Sequence, residues 1–519
     1  MGVSFADALH STLNNEFNYS TTENGALGYR TTGTSLLDLN FAVASLRKAT
    51  PDEIAKRFMA AFFEDKLTAM KWMFYARDIR YGMGERRLFR SIMAYMAINN
   101  PEYIAPVIEL VPEYGRYDDL WCLLDTELAH RVLDFVRLQL RQDISDMHEG
   151  LNISLLAKWM PSGNASSALT KHFAKIIRNG LEMSNRTYRV TLSEMRRYLR
   201  VVEQKMSKRQ WSEIDYEAVP SRANLLYNKA FLRNDEVRRR EFLEQLTKGE
   251  AKINAGTLFP HDIVHKYTGG GAYRIEPHDA TLEELWRALP NNADGMENTI
   301  VVADGSGSMT VNVGGSVSAL DVANALAIYF AERSSGQFRN KYITFSTRPQ
   351  FVDFSNGKTL REKIQIALQH SEIADTNIEA VFDLILTTAQ RERMSQSDLP
   401  KNILIISDME FNSCVTGGSS AYGRYSYGGP DARLFEAFKQ RYAQAGYQLP
   451  RLVFWNVASR TGTIPVKEND LGVALVSGFS TNVAKMVMSG KTDPYECLLE
   501  TLNGERYEVI GLVLDGALM

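Results

Sequence analysis

The sequence predicts a multidomain chain: an all-α amino-terminal part of HEAT-like helices, followed by an α/β domain on a doubly wound parallel sheet. Three observations predict it. At 519 residues the chain exceeds what one core usually supports. Its first 290 or so residues are written almost wholly in helical period. From about residue 296 the pattern changes to strands alternating with helices, the order that produces a parallel, doubly wound sheet. The expected boundaries are an amino-terminal segment at 1–30, a helical domain at 31–290 and the α/β domain at 296–515.

Pro51 opens the first clear helix, with Asp52 and Glu53 in its first turn and Ile54, Phe58, Ala61 and Phe62 spaced as one buried face. The period continues through Leu67, Met70, Met73 and Phe74. Further helices are predicted at 85–98, 118–124, 128–144 and 166–177, the last stopping at Asn179-Gly180. Thr191 with Glu194 three residues later reads as a capping box, so a helix is expected from Thr191 to Met206, with Leu192, Met195, Leu199, Val202 and Met206 as its apolar stripe. Two more are expected at 221–232 and 234–247. Many short amphipathic helices with little strand signal suggest stacked pairs of the HEAT or armadillo sort, although no fixed sequence period marks them. In the second part strands are expected at 298–303, 341–346, 402–407, 451–456 and 472–476, with helices near 319–333, 359–370, 378–391, 431–445 and 493–502. The stretch 416–429, rich in Gly, Ser and Tyr, reads as an exposed loop, either an adaptable contact surface or a plain insertion.

A hydrophobic content of 45% and a charged content of 23% are those of an ordinary soluble globular protein. No run of 18 apolar residues occurs, and the first residues are neither basic nor apolar enough for a leader, so no membrane partner and a cytoplasmic location are expected. Cys122, Cys414 and Cys497 are odd in number and widely spaced, which fits a reducing compartment and provides no metal clamp. The net charge of −3 conceals an asymmetry: residues 151–250 hold 19 Lys and Arg against 11 Asp and Glu, whereas 296–519 hold 20 against 24.

The run Val301-Val302-Ala303-Asp304-Gly305-Ser306-Gly307-Ser308 reads as a buried strand that delivers one carboxylate and two hydroxyls into a tight glycine turn. Such oxygens suit Mg²⁺ or Mn²⁺, and the carboxyl end of a parallel strand is where α/β sheets place their ligands. A helix-capping aspartate in a Gly/Ser turn is the plainer alternative. The run Ile403-Leu404-Ile405-Ile406-Ser407-Asp408 repeats the plan of an apolar strand ending in an aspartate, and Ala374-Asp375-Thr376-Asn377 offers a third loop before a helical pattern. Asp…Ser…Ser, then Thr, then Asp, each after its own strand or before its own helix, resembles the metal-ion-dependent adhesion site of the von Willebrand factor A family. The resemblance implies that Ser306, Ser308 and Thr376 bind the cation, that Asp304 and Asp408 bind it directly or through water, and that one place is left for an acidic group of a partner.

In the amino-terminal half the segments 77–87 (from Arg77-Asp78-Ile79-Arg80-Tyr81-Gly82), 114–120 (Tyr114-Gly115-Arg116-Tyr117-Asp118-Asp119-Leu120) and 156–162, together with Val219-Pro220-Ser221 and 258–263, resemble the TROVE module of Ro ribonucleoprotein autoantigens. They are closer still to a related family known only as a domain of unknown function. The resemblance spans residues 30 to 515 or so. It implies a ring of HEAT-like repeats with a von Willebrand A domain, and noncoding RNA as the partner of the basic ring; fold alone does not fix that function.

On the expected helix 191–209, Arg196, Arg197, Arg200 and Lys208 fall within about a third of the circumference, away from the apolar stripe. Lys158, Lys171, Lys175, Arg178, Arg186 and Arg189 lie in neighbouring segments. Clustered cations of this kind neutralise phosphates, and a solvated helix face is the alternative. Arg77, Arg80, Arg86 and Arg116 with Asp78, Asp118 and Asp119 are read as a buried ion-pair network. The eight histidines form no metal-ligand spacing, and no phosphate loop, dinucleotide fingerprint or nucleophile elbow occurs. The sequence therefore predicts a non-enzymatic RNA-binding protein with a Mg²⁺-dependent docking site. The alternative is an assembly scaffold that uses the metal site without RNA. Metal-dependent hydrolysis is disfavoured, since no general base accompanies Asp304 and Asp408.

Overall fold

The strands of the second half form because their apolar runs are buried on both faces, and the computed structural model places them in one sheet. It describes residues 18–23, 27–269, 275–345, 348–370, 377–411, 434–465, 473–484 and 493–518. The chain divides into two compact units that interleave along the sequence: Met1–Thr50, Phe259–His278 and Asn291–Thr501 make one, and Pro51–Leu258, Asp279–Pro290 and Leu502–Met519 the other. The break expected near 290 falls where Pro290 gives way to Asn291, but each unit also takes in segments from the other side of it, Met1–Thr50 and Phe259–His278 in one and Leu502–Met519 in the other.

The first unit runs through β1 (Tyr19–Thr21), β2 (Leu27–Tyr29), β3 (Thr299–Asp304), β4 (Asn312–Gly314), β5 (Val317–Ser318), β6 (Lys341–Phe345), β7 (Gln350–Asp353), β8 (Asn402–Ser407), β9 (Arg451–Asn456) and β10 (Val473–Ser477). Its main sheet has the order β10-β9-β8-β3-β6-β7. All neighbours are parallel except β6 and β7. The expectation of a wholly parallel sheet is corrected there: only four residues separate β6 from β7, and a parallel return needs a crossover of a dozen or more. The helix Ala319–Arg333 packs on β3 and, on another side, on the helix Pro260–Thr268. Ser318 opens it with the reciprocal capping box, Oγ accepting from the Asp321 N–H at 3.1 Å. The amino-terminal helix Ser35–Phe41 seats against β10, where Asn456 Nδ2 donates to the Phe41 carbonyl at 2.8 Å and the Ala44 N–H donates to Ser477 Oγ at 3.0 Å. β1 pairs with β2, and Tyr29 exchanges two backbone bonds of 2.8 Å with Ile464.

The second unit is helical. Pro51–Glu64 and Lys66–Arg77 are separated by Asp65, whose side chain accepts from the Thr68 N–H at 3.0 Å and starts the second helix. Arg86–Asn99, Ala129–His148, Ala168–Gly180, Ser221–Asn234 and Glu236–Lys248 lie where the periodicity predicts, and residues 117–123 form a 3₁₀ turn. The helix expected at Thr191–Met206 is corrected. Ser184 caps a helix at Asn185–Tyr198, with Thr191 in its middle, and a second helix follows at Val202–Ser207. Between them Arg200 sits at φ 53°. The Arg200 N–H donates to the Arg197 carbonyl at 3.0 Å and the Val201 N–H to the Arg196 carbonyl at 3.1 Å, the Schellman arrangement with arginine where glycine is usual. Several helices were absent from the expectation, among them Ala280–Arg287, capped by Asp279, and Glu505–Leu518, which packs against Lys66–Arg77. No described helix is long and apolar enough to cross a membrane.

Candidate functional site

β3 and β8 lie side by side with Ala303 opposite Ile406, so the residues that follow each strand, Asp304 and Asp408 among them, emerge at the same edge of the sheet. β3 also has β6 on its other side, which makes this the point where the strand order diverges. Asp304, Ser306 and Asp408 are buried, and Ser308 is half-buried. Asp304 Oδ1 accepts from the Ser306 N–H at 2.9 Å, and its Oδ2 accepts from the Ser407 hydroxyl at 2.6 Å. The Ser306 and Ser308 hydroxyls lie 2.9 Å apart. Asp408 Oδ1 accepts from the Glu410 N–H at 3.2 Å, while its enclosed Oδ2 accepts no hydrogen bond among the described residues. Four of the five expected metal ligands are thus assembled; Thr376, with its neighbour Asp375, lies outside the described residues.

Burial first, and the Asp408 charge second, push the Asp304 carboxyl up to about 7, against the pull of Ser306 and Ser407. Burial also raises Asp408, opposed chiefly by the neighbouring Ser308 hydroxyl. Two enclosed carboxylates that disfavour each other's charge, one with an unmatched oxygen, and two hydroxyls beside them make a donor set that suits a hard divalent cation. Among the described residues no group of three or more His, Cys, Asp or Glu side chains is placed to hold a metal, so the hydroxyls are needed to complete any such shell. The sequence did not single out Ser407, which reads simply as a strand residue. It also missed Arg460, whose Nη2 lies 3.8 Å from Asp408 Oδ2, and Glu410, a buried acid that braces the loop around it.

The basic residues of the helical unit separate into two kinds. Arg196 is turned inward: it donates to the carbonyls of Ala157 at 2.8 Å and Met160 at 2.6 Å and to Ser162 Oγ at 3.0 Å. That corrects its place on a free basic face, since its guanidinium fastens the 157–162 loop. Arg200 and Lys208 also leave the face expected of a single helix, because the chain turns at Arg200 and Lys208 follows the next helix. Arg186, Arg189 and Arg197 do share one exposed face of Asn185–Tyr198, within about 80° of arc and opposite the buried Tyr188, Leu192 and Met195. Lys171 and Lys175 are exposed one turn apart on Ala168–Gly180, and none of these five side chains has an ion-pair partner among the described residues. Lys158 is half-buried, with Nζ 5.3 Å from the Trp159 ring, and Arg116 lies over the same ring at 4.3 Å. Burial lowers both of these cations.

The expected ion-pair network is present in altered form. Buried Asp119 accepts from Arg77 Nε at 2.7 Å and from Arg90 Nε at 2.6 Å, and Asp118 pairs with Arg90 at 2.9 Å and Arg86 at 3.7 Å. Arg80 is exposed and takes no part; Asp78 instead pairs with Arg506 and accepts from the Tyr507 hydroxyl at 3.2 Å. A Cβ on Gly115 would meet Asp119 Oδ2 at 2.5 Å and Arg77 Nε at 2.9 Å, which explains glycine beside Arg116. Burial pushes the Cys122 thiol up to about 12, and Cys122 and Cys497 are free; Cys414 and the 416–429 loop lie outside the described residues.

Residues 22–114 and 126–300 match the domain of unknown function DUF2828, and residues 298–506 match a second, DUF7788. The uncharacterized protein L728 of Acanthamoeba polyphaga mimivirus is 29% identical over 93% of this chain and 87% of its own length. The Ro (RSR) protein of Deinococcus radiodurans, known from a crystal structure, aligns over 85% of this chain and 94% of its own with 15% identity and a TM-score of 0.43. With its matched segments covering more than half of the 519 residues, the chain belongs to the DUF2828 family.

Proposed function

We propose that the protein is a non-enzymatic binding protein, Ro-like in plan. Its sheet-containing unit, read as a von Willebrand A domain, holds Mg²⁺ or Mn²⁺ at Asp304, Ser306, Ser308, Thr376 and Asp408, and docks an acidic group of a partner there. Its helical unit, read as HEAT-like and TROVE-type, holds noncoding RNA. The observation that carries the docking reading is the enclosed Asp408 Oδ2 without a hydrogen bond, next to an Asp304 carboxyl that burial makes reluctant to ionise unaided. A bound cation satisfies both. Mg²⁺ keeps several of its own waters, so a shell left open to a partner is its normal state. Thermal unfolding tests this: millimolar Mg²⁺ raises the midpoint of wild-type protein, and Asp304→Asn or Asp408→Asn abolishes the rise. An equal rise in the variants sinks the reading.

RNA binding is supported by the five exposed cations of two successive helices, which have no ion-pair partner among the described residues, and by the indole of Trp159 with Arg116 and Lys158 close to its ring, which brings charge and an aromatic surface together. Changing Arg186, Arg189 and Arg197 together to Glu should weaken RNA binding by tenfold or more and flatten its salt dependence by about 2 in log–log slope. Binding indifferent to salt and to these changes would leave the assembly-scaffold reading, in which the metal site acts alone.

One Ser–His–Asp set occurs among the described residues, and its geometry supports a structural role. His265 Nε2 lies 2.8 Å from Ser316 Oγ, but Nδ1 is 3.4 Å from Asp321 Oδ2, too long and misaligned for a hydrogen bond. That oxygen is already taken by the Ser318 N–H at 3.0 Å and hydroxyl at 2.9 Å at the head of a helix. A serine-directed fluorophosphonate should leave Ser316 unlabelled.

A further inference from the structure

Arg460, in the loop after β9, stands at the rim of the metal site with Nη2 3.8 Å from Asp408 Oδ2, and it also forms an ion pair with Glu23. Glu23 arrives from the turn that follows β1, more than 400 residues away in sequence. One buried carboxylate positions both partners. Glu410 Oε2 accepts from the Glu23 N–H at 2.8 Å, and its Oε1 accepts from the Arg460 and Thr461 N–H groups at 2.8 and 2.9 Å. The Thr22 hydroxyl adds a bond of 2.6 Å to the Phe411 carbonyl. The backbone at both positions is therefore fixed without any help from the Glu23 or Arg460 side chain. Those side chains are 53% and 39% exposed, and an ion pair at that exposure adds little to stability. Its placement needs another reason.

We propose that Arg460 forms a carboxylate-binding subsite beside the metal, and that Glu23 is the chain's own carboxylate, occupying that subsite until a partner's carboxylate replaces it. This rests on the metal reading above. A carboxylate has two acceptor oxygens, so it can place one on the cation and accept a charge-assisted hydrogen bond from the Arg460 guanidinium at the other. A cation held by Asp408 is repelled by Arg460 on the other side of that carboxylate, and a further carboxylate that touches both offsets the repulsion. Glu23 supplies the precedent for the ligand's chemistry. A neutral or cationic ligand gains nothing at either point.

The test uses the full chain, Mn²⁺ as the cation and acetate as the carboxylate, with water-proton relaxation reading the water on Mn²⁺. Wild-type protein binds Mn²⁺ and responds weakly to acetate. Glu23→Gln should bind acetate about two- to fivefold more tightly, the worth of one competing surface pair. Arg460→Gln should keep Mn²⁺ and lose the acetate response, and the double variant should behave as Arg460→Gln alone. Equal acetate affinity in wild type, Glu23→Gln and Arg460→Gln overturns the subsite while leaving the metal reading intact. Mn²⁺ binding that is absent from wild type, or unchanged in Asp408→Asn, overturns the metal reading and the subsite with it.

Discussion

Asp304 and Asp408 are carboxylates placed where water cannot reach them, and their ionisation carries a stability cost that can be measured. Asp304 ordinarily titrates near 3.8 and is pushed up to about 7 in the folded chain, so the folded state holds its proton the more tightly. The resulting stability is complete below about 3.8 and is lost as the pH rises towards 7, the reverse of an ion-paired aspartate. In chelator, calorimetry should therefore show the transition of the sheet-containing unit falling between about pH 4 and pH 7 and levelling off above that. Mg²⁺ should restore it at pH 8, and Asp304→Asn should flatten the fall. A transition that rises with pH in chelator would contradict the coupled pair. Much of this site was legible because Asp304, Ser306 and Ser308 lie within five residues and Asp408 ends a plainly apolar strand. Ser407, Arg460 and Glu23 were not, because their roles depend on which loops meet, and no local pattern encodes that.

Helices and strands were legible to the extent that a local signal marked them. Strands buried on both faces are continuous apolar runs, so β3, β8, β9 and β10 stood out, whereas β7 is a half-exposed edge of four residues with no such run. Helix ends fared worse. Glu182, Arg200 and Arg209 take positive φ of 56°, 53° and 58° just past three successive helices, where a reader looks for glycine. A side chain in that conformation is strained, and glycine relieves it. Arg200→Gly should raise the stability of the helical unit by about 0.5–1 kcal/mol in urea unfolding. A loss of stability would show that the arginine stem packs in a way that outweighs its backbone strain.

Over the whole chain, the two units are legible as types but not as sets of residues, because each recruits segments remote in sequence. The clearest case is Glu505–Leu518, which follows the last part of the sheet-containing unit yet belongs to the helical one, burying Tyr507, Ile510 and Leu514 and pairing Arg506 with Asp78. Ending the chain at residue 503 should cost the helical unit about 5 kcal/mol or more, at roughly 2 kcal/mol for each buried side chain, and guanidinium unfolding followed by far-ultraviolet circular dichroism would read it. An unchanged midpoint would mean that the helix is merely attached. The interleaving also governs how the protein is made. The Thr22 hydroxyl meets its Phe411 acceptor 389 residues later. At about 5–20 residues per second of synthesis, the first hairpin waits about 20–80 s for the strands and loops that complete it. During that interval its backbone edge is open to wrong pairings, so the chain still being synthesised, rather than the finished protein, is the state most exposed to misfolding.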